Sequence, residues 1–242
     1  MKQYKTFTKM TSLQCVTRGL NIIMKLITTI LLCAALSACG GSFNTSTSNN
    51  APTTPLNSPP RQLSVACMGD SETAGMIAGG ALNSSYSYCN KLNMEFPVGN
   101  PYKFSSVTNY AVPSKDITQI YNEQLPSVLA HPADVVVIMA GVNDAYHNIP
   151  LEVFKQKYSS ILSLVKAKGS VPVCLTTFPT HTPSIDTTEY DKYVLTLESQ
   201  GCKVLDVKAL YKESWNVNND LHPSEQAYSD VSKALLQILY GI

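Results

Sequence analysis

This 242-residue chain predicts an α/β fold, a parallel sheet covered by helices on both faces. Three observations carry that expectation. Short apolar runs alternate along the chain with longer segments whose apolar residues recur at helical spacing. The clearest run, 134–140, is Val-Val-Val-Ile-Met at its heart, without the alternation of a half-solvated strand, as expected for a strand buried on both faces. Right-handed crossovers between parallel strands then limit the layout to a doubly wound, three-layer α/β/α sandwich.

Each element follows from its residues. The first strand, 63–68, is Leu-Ser-Val-Ala-Cys-Met and stops at Gly69. A loop containing Gly75, Gly79 and Gly80 leads to a helix expected near 82–94. A short strand follows around 104–110, then a helical stretch over 116–130 and the apolar strand 134–140. Segment 151–168 places Val153, Phe154, Tyr158, Ile161, Leu162 and Val165 on one helical face. Residues 171–177 read as the fourth strand, 186–200 as a helix and 203–207 as the fifth strand. The last helix is expected over 223–240, with Pro223 in its first turn.

The domain so outlined, 63–242, is preceded by two segments of different character. Residues 1–38 hold Lys2, Lys5, Lys9, Arg18 and Lys25 and no acid; the rest of the chain keeps 13 basic against 17 acidic residues, about −4. No basic stripe appears, so nothing suggests nucleic-acid binding. Met24-Lys25 followed by apolar 26–36 has the charged start and short core of an export signal, and Met24 reads as the true start. That run is too short to span a bilayer comfortably. It ends in Leu36-Ser37-Ala38-Cys39-Gly40, which resembles a bacterial lipobox and implies cleavage before Cys39 and lipidation of its thiol. Gly40 is compatible with sorting to the outer membrane. Residues 39–62, rich in Ser, Thr, Asn and Pro, read as a disordered tether from that lipid anchor.

Export permits disulfides among Cys67, Cys89, Cys174 and Cys202, but spacing leaves all three pairings open. Cys67 and Cys174 lie inside apolar strands and are expected as buried hydrophobes. No cysteine or histidine falls at metal-ligand spacing.

Asp70 and Ser71 fall in the turn after the first strand, on the rim where open α/β sheets place their ligands. By itself this stretch is satisfied by Ser71 capping a helix. Farther on stand Asn109, Gly141-Val142-Asn143-Asp144 and Asn219-Asp220-Leu221-His222-Pro223. With Gly69-Asp70-Ser71 they resemble, in order and spacing, the four blocks of the SGNH (GDSL-type) hydrolases. The resemblance implies a five-stranded flavodoxin-like sheet that gathers these residues on one rim. It implies Ser71 as nucleophile and His222 as base, with an oxyanion held by the Ser71 N–H, the Ala111 N–H and the Asn143 side chain. A serine alcohol needs such a base because alone it scarcely ionises at neutral pH.

Two positions depart from the family pattern. Ala111 stands where the family has Gly, and a positive φ there would be strained. Asn219 stands where the family's acid lies, three residues before the histidine, while Asp220 is two before. An amide oxygen can accept the imidazole Nδ1–H, as in Cys-His-Asn proteases. The reading takes Asn219 as the orienting residue; a shifted turn presenting Asp220, or a weakened enzyme, are the alternatives.

Around this core, Tyr146, His147 and His181 lie in rim loops, where they either line a cleft or are plain loop residues. Trp215 walls the pocket or packs in the core. His131 lies at the opposite end of the sheet, and Asp144 is expected to anchor its loop by accepting backbone N–H bonds. A Gly-x-Ser-x-Gly elbow is absent, which argues against the larger α/β-hydrolase fold. The function expected is a lipid-anchored envelope serine esterase without metal or cofactor. Its substrate would be an O-acetylated carbohydrate, a lysophospholipid or another small acyl ester. The alternative is a non-catalytic or weakly active lipoprotein that binds ligand on the same fold.

Overall fold

The computed structural model describes residues 62–94, 104–215 and 220–242. The expected leader 1–38 with Met24, the tether with Cys39, and Asn219 lie outside the described residues. Within them β1 (Ser64–Met68), β2 (Ser106–Asn109), β3 (Val135–Met139), β4 (Val171–Leu175) and β5 (Lys203–Leu205) form one parallel sheet. Its order is β2-β1-β3-β4-β5, so the chain winds outward from β1 in both directions.

Strand side chains alternate between the faces, and the apolar runs supply both. Val65, Cys67, Val137, Met139 and Leu175 pack on one face against α2 (Tyr88–Lys91) and α8 (Glu225–Leu239). Ala66, Met68, Val136, Ile138 and Cys174 face the other layer. That layer holds α3 (Ile117–Gln119), α4 (Leu125–Ala130), α6 (Leu151–Ala167) and α7 (Thr188–Thr196). Every residue of β3 is buried, as its unbroken apolar run requires. The five strands and the two helical layers agree with the fold class read from sequence.

The helices differ from expectation in ways their polar side chains explain. The helix expected over 82–94 is a 3-10 turn, Ser84–Tyr86, followed by the short α2. Asn83 and Ser87 accept the Ser85 and Cys89 N–H groups with their side chains, ending one turn and starting the next. Segment 116–130 is interrupted by a π turn, Ile120–Gln124. The last helix begins at Glu225, because the Ser224 side chain accepts the Ala227 N–H and Pro223 precedes the cap. The helix anticipated at Ser71 is the short α1 (Ser71–Ala74) after β1, and a second short helix not expected from sequence, α5 (Val142–Tyr146), follows β3.

Cys67 and Cys174 are fully buried, but they are not free hydrophobes. Cys67 is bonded to Cys89 and Cys174 to Cys202, with Cα–Cα distances of 6.4 and 6.2 Å. One bridge fastens β1 to α2 and the other fastens β4 to the residue before β5. Each closes a loop of 22 or 28 residues, which removes freedom from the unfolded chain. Replacing Cys67 and Cys89 together by Ala is expected to cost about 2–4 kcal/mol, a fall in Tm of roughly 4–16 °C by calorimetry. An unchanged Tm would show that this bridge carries no stability.

Candidate active site

The site begins where β1 stops. At Gly69 the backbone passes so close to β3 that an added Cβ would lie 2.7 Å from the Met139 carbonyl oxygen and against Thr73. The Gln124 side chain accepts the Gly69 N–H at 2.9 Å and donates to the Gly69 carbonyl at 2.8 Å. It therefore pairs with both backbone polar groups of the first residue past β1. Asp70 caps α1 by accepting the Glu72 N–H at 2.9 Å, so Ser71 is the first helical residue and not the cap.

His222 arrives from the loop before α8. Its Nε2 lies 3.0 Å from Ser71 Oγ, although 151 residues separate the two in the chain. Ser71 is 5% exposed, and burial holds the His222 imidazole below its ordinary 6.5 against the pull of Asp220. Asp220 Oδ1 is 3.6 Å from His222 Nδ1 and accepts the His222 backbone N–H at 3.0 Å. Its Oδ2 accepts the Gly79 N–H at 2.7 Å. Burial acts to raise this carboxyl, but those N–H groups and the imidazole outweigh it and hold it below the usual aspartate value. Asp220 is thus a fixed anion beside the ring, closer to an ion-pair contact than a tight hydrogen bond.

The expected oxyanion donors come from two further strand ends. After β2, Asn109 Oδ1 accepts the Ala111 N–H at 3.0 Å, and Asn109 Nδ2 donates to the Thr73 carbonyl and Ser87 Oγ. Ala111 has no positive φ, so the missing glycine costs no backbone strain. After β3, Gly141 adopts φ 138°, a conformation closed to most side chains, and turns the chain into α5. Asn143 Nδ2 there donates to Asp70 Oδ2 at 3.1 Å and, more loosely, to the Lys115 carbonyl at 3.3 Å. Asp144 anchors the same loop by accepting the Ile117 N–H at 3.1 and 3.3 Å. Burial pushes Asp144 up to about 7 and Asp70 up to about 6.

Other residues singled out in the sequence fall away from the chemistry. Trp215 is core, packed on Phe178 and donating its indole N–H to Asp230. His131 is exposed before β3, its Nδ1 3.3 Å from the Ser127 carbonyl. Tyr146 is exposed, His147 lies 3.8 Å from Asp116, and His181 packs against Tyr211.

A family model described as GDSL-like lipase/acylhydrolase matches residues 67–229. The chain belongs to that family. Solved structures share the fold at low identity. A lipase/acylhydrolase from Enterococcus faecalis aligns with a TM-score of 0.65 at 18% identity, over 74% of this chain and 96% of that one. An acetylxylan esterase from Geobacillus stearothermophilus aligns at 0.58 and 19%, over 72% and 93%. A protein described as belonging to the G-D-S-L lipolytic family, from Desulfitobacterium hafniense, aligns at 0.61 and 19%, over 73% and 99%. No curated protein sequence matches this chain.

The GDSL motif itself is altered: the chain reads Gly69-Asp70-Ser71-Glu72 where the family's name has leucine. Glu72 is fully buried. Sequence reasoning passed over both Glu72 and Gln124. Glu72 had a visible signal, a charged residue where its GDSL relatives are named for an apolar one. Gln124 had none, because only the π turn brings its side chain to β1. Beside Asn109 and Ala111 lies a groove of about 410 Å³, lined also by Ala74, Leu82, Ser84, Asn90 and Pro113.

If the Asp220 charge supports the imidazolium, Asp220→Ala is expected to lower kcat/KM by about 10–100-fold, less than the loss at a tightly bonded triad acid. The acid limb of the pH–rate profile should also move to lower pH, because burial would then act on His222 unopposed. Asn219→Ala in the same assay gives the comparison; a larger loss there, with Asp220→Ala neutral, would assign the orienting role to Asn219.

Proposed function

We propose that this GDSL-family protein is a serine esterase that cleaves carboxylic esters through an acyl-enzyme. The observation that carries the reading is the 3.0 Å contact between Ser71 Oγ and His222 Nε2 on the rim of the sheet. His222 takes the Ser71 proton as Oγ attacks the ester carbonyl carbon. The oxyanion is met by the Ser71 N–H and the Asn143 amide, whose long contact to the Lys115 carbonyl it replaces. The Ala111 N–H contributes where it can be shared with Asn109. Collapse of the intermediate expels the alcohol, which takes the proton from His222. Water, deprotonated by His222, then attacks the acyl carbon; collapse breaks the bond to Ser71 Oγ, which takes the proton back from His222 as the acid is released. Asp220 stabilises the imidazolium at both stages.

The groove beside Asn109 mixes Ser84 and Asn90 with Leu82 and Pro113, which suits a hydroxylated alcohol bearing a short acyl group. An O-acetylated carbohydrate fits that description better than a lysophospholipid. We place the protein in the bacterial envelope, held at the membrane by a lipid on Cys39. The support is the Leu36-Ser37-Ala38-Cys39 sequence together with two disulfides, which persist in oxidising compartments.

A series of p-nitrophenyl esters of rising chain length tests the reading. Hydrolysis is expected to be fastest for acetate, and Ser71→Ala should lower kcat by at least about 10³-fold. A fluorophosphonate probe should label wild type at Ser71, and His222→Ala should abolish labelling. Preference for long chains would favour a lipid ester. A folded wild type that neither turns over nor labels would leave a ligand-binding protein as the better account.

A further inference from the structure

We propose that Glu72 is a positioning residue of the esterase: held as a neutral carboxylic acid beneath Ser71, it leaves Asp70 the single anion of the nucleophile turn, and turnover fails when that acid ionises. The inference rests on the esterase reading.

The geometry argues for the neutral form. Glu72 is fully buried. Its Oε1 has no hydrogen-bond partner among the described residues, and its Oε2 accepts only from the Phe178 N–H, at a long 3.4 Å. An ionised carboxylate offers about four acceptor sites and must have them filled once removed from water. The groups facing Glu72 do not fill them. Asp70, on its own turn, is an anion. From α7 comes Asp191, whose Oδ2 is paired with Lys208 Nζ at 2.6 Å. Lys208, the cation facing this cluster, also donates to Thr187 Oγ1, so its charge is already engaged. Tyr88 from α2 and Tyr228 from α8 direct their hydroxyls to Thr73 and to the Met76 carbonyl. Burial, followed by the charge on Asp70, accordingly pushes Glu72 well above its ordinary 4.5, with the Phe178 N–H only partly opposing.

The link to catalysis runs through Asp70. One of its oxygens accepts the Glu72 N–H at 2.9 Å and the other accepts Asn143 Nδ2 at 3.1 Å. If Glu72 ionises, one of two things follows. Two adjacent anions then sit beneath the developing oxyanion, or Asp70 takes up a proton and loosens its hold on the Asn143 amide. Either raises the barrier to the step that forms the tetrahedral intermediate, and neither touches ground-state binding directly.

The test compares wild type with Glu72→Gln and Glu72→Leu, both permanently uncharged; the second guards against a glutamine that fails to fold. The readouts are kcat and KM for p-nitrophenyl acetate from pH 6 to 10, corrected for spontaneous hydrolysis, and Tm from pH 4 to 9. In wild type, kcat is expected to fall on the alkaline side, approaching tenfold per pH unit, with KM little changed. Both variants should lose that limb, while the acid limb set by His222 and Asp70 remains. The thermal readout has a fixed sign. The folded state keeps the Glu72 proton that the unfolded state releases near 4.5, so wild-type stability is lost as pH rises above that value. The Tm of each variant relative to wild type should therefore climb with pH.

A wild-type profile flat to pH 10, or an alkaline limb that both variants retain, overturns the proposal. A climbing Tm difference with an unaltered limb would make the neutral acid a purely structural feature, which also overturns it. Failure of wild type to hydrolyse the ester or react with a fluorophosphonate would sink the esterase reading and the catalytic role with it. The Tm comparison would still report whether Glu72 is neutral.

Discussion

The turn at Gly69 is the constraint from which the site follows. A parallel strand has to leave the sheet over its carboxyl edge, and here it does so two residues before Ser71. The lack of a Cβ at Gly69 lets the backbone lie against Thr73 and the Met139 carbonyl of the neighbouring strand. Gln124 pairs with both the N–H and the carbonyl of Gly69, so the turn is held by a side chain as well as by its close packing. That support depends on the π turn, a locally costly helix geometry retained next to a functional site.

The buried acids around this turn form a graded set. Asp191 accepts from the Thr177 N–H, two threonine hydroxyls and Lys208, the filling an interior carboxylate requires. Asp144 accepts one N–H with both oxygens, and Asp70 accepts one donor on each. Glu72 has a single long contact. Breaking a buried pair costs about 3–5 kcal/mol because a charge is left unanswered. The gradient therefore sorts these groups by how fully each is supplied with donors, and Asp191 is the best supplied. Lys208 is partly exposed and reaches this cluster from the rim, where it pairs with Asp191.

The centre of the sheet was legible because β1, β3 and β4 are buried on both faces, so sequence and burial coincide at Val135 to Met139. Ser71 and His222 were legible only as members of a family pattern, since each alone has an ordinary role at a helix start. What was not legible depended on side chains competing with the backbone. Asn83 and Ser87 cut the helix expected over 82–94 into two turns by capping within it. The same competition at Ser224 displaced Pro223 from the last helix. The cysteine pairing was open because an apolar strand position looks alike whether its thiol is free or bonded. Asp220 could not be separated from Asn219 by counting residues, because the spacing to His222 does not say which side chain lies beside the ring; Asp220 lies 3.6 Å from its Nδ1.

The Cys67–Cys89 bridge bears on the geometry around Ser71 as well as on stability. Cys89 lies on α2 just after Ser87 and Tyr88, and both of these reach α1. Ser87 Oγ donates to the Thr73 carbonyl, Tyr88 bonds Thr73 Oγ1, and Asn109 ties the β2 loop to the same two residues. Thr73 is two residues beyond Ser71, so α1 is gripped along its side by a segment that is itself short and weakly helical. A four-residue helix such as α2 has little stability of its own, and its position comes from what it is fastened to. The bridge supplies that fastening on β1, four residues before Ser71, and so closes a ring of contacts that begins and ends on the same strand. Oxidation of this pair therefore belongs to the construction of the site: with the thiols separate, the polar contacts to Thr73 would have to hold α2 in place by themselves.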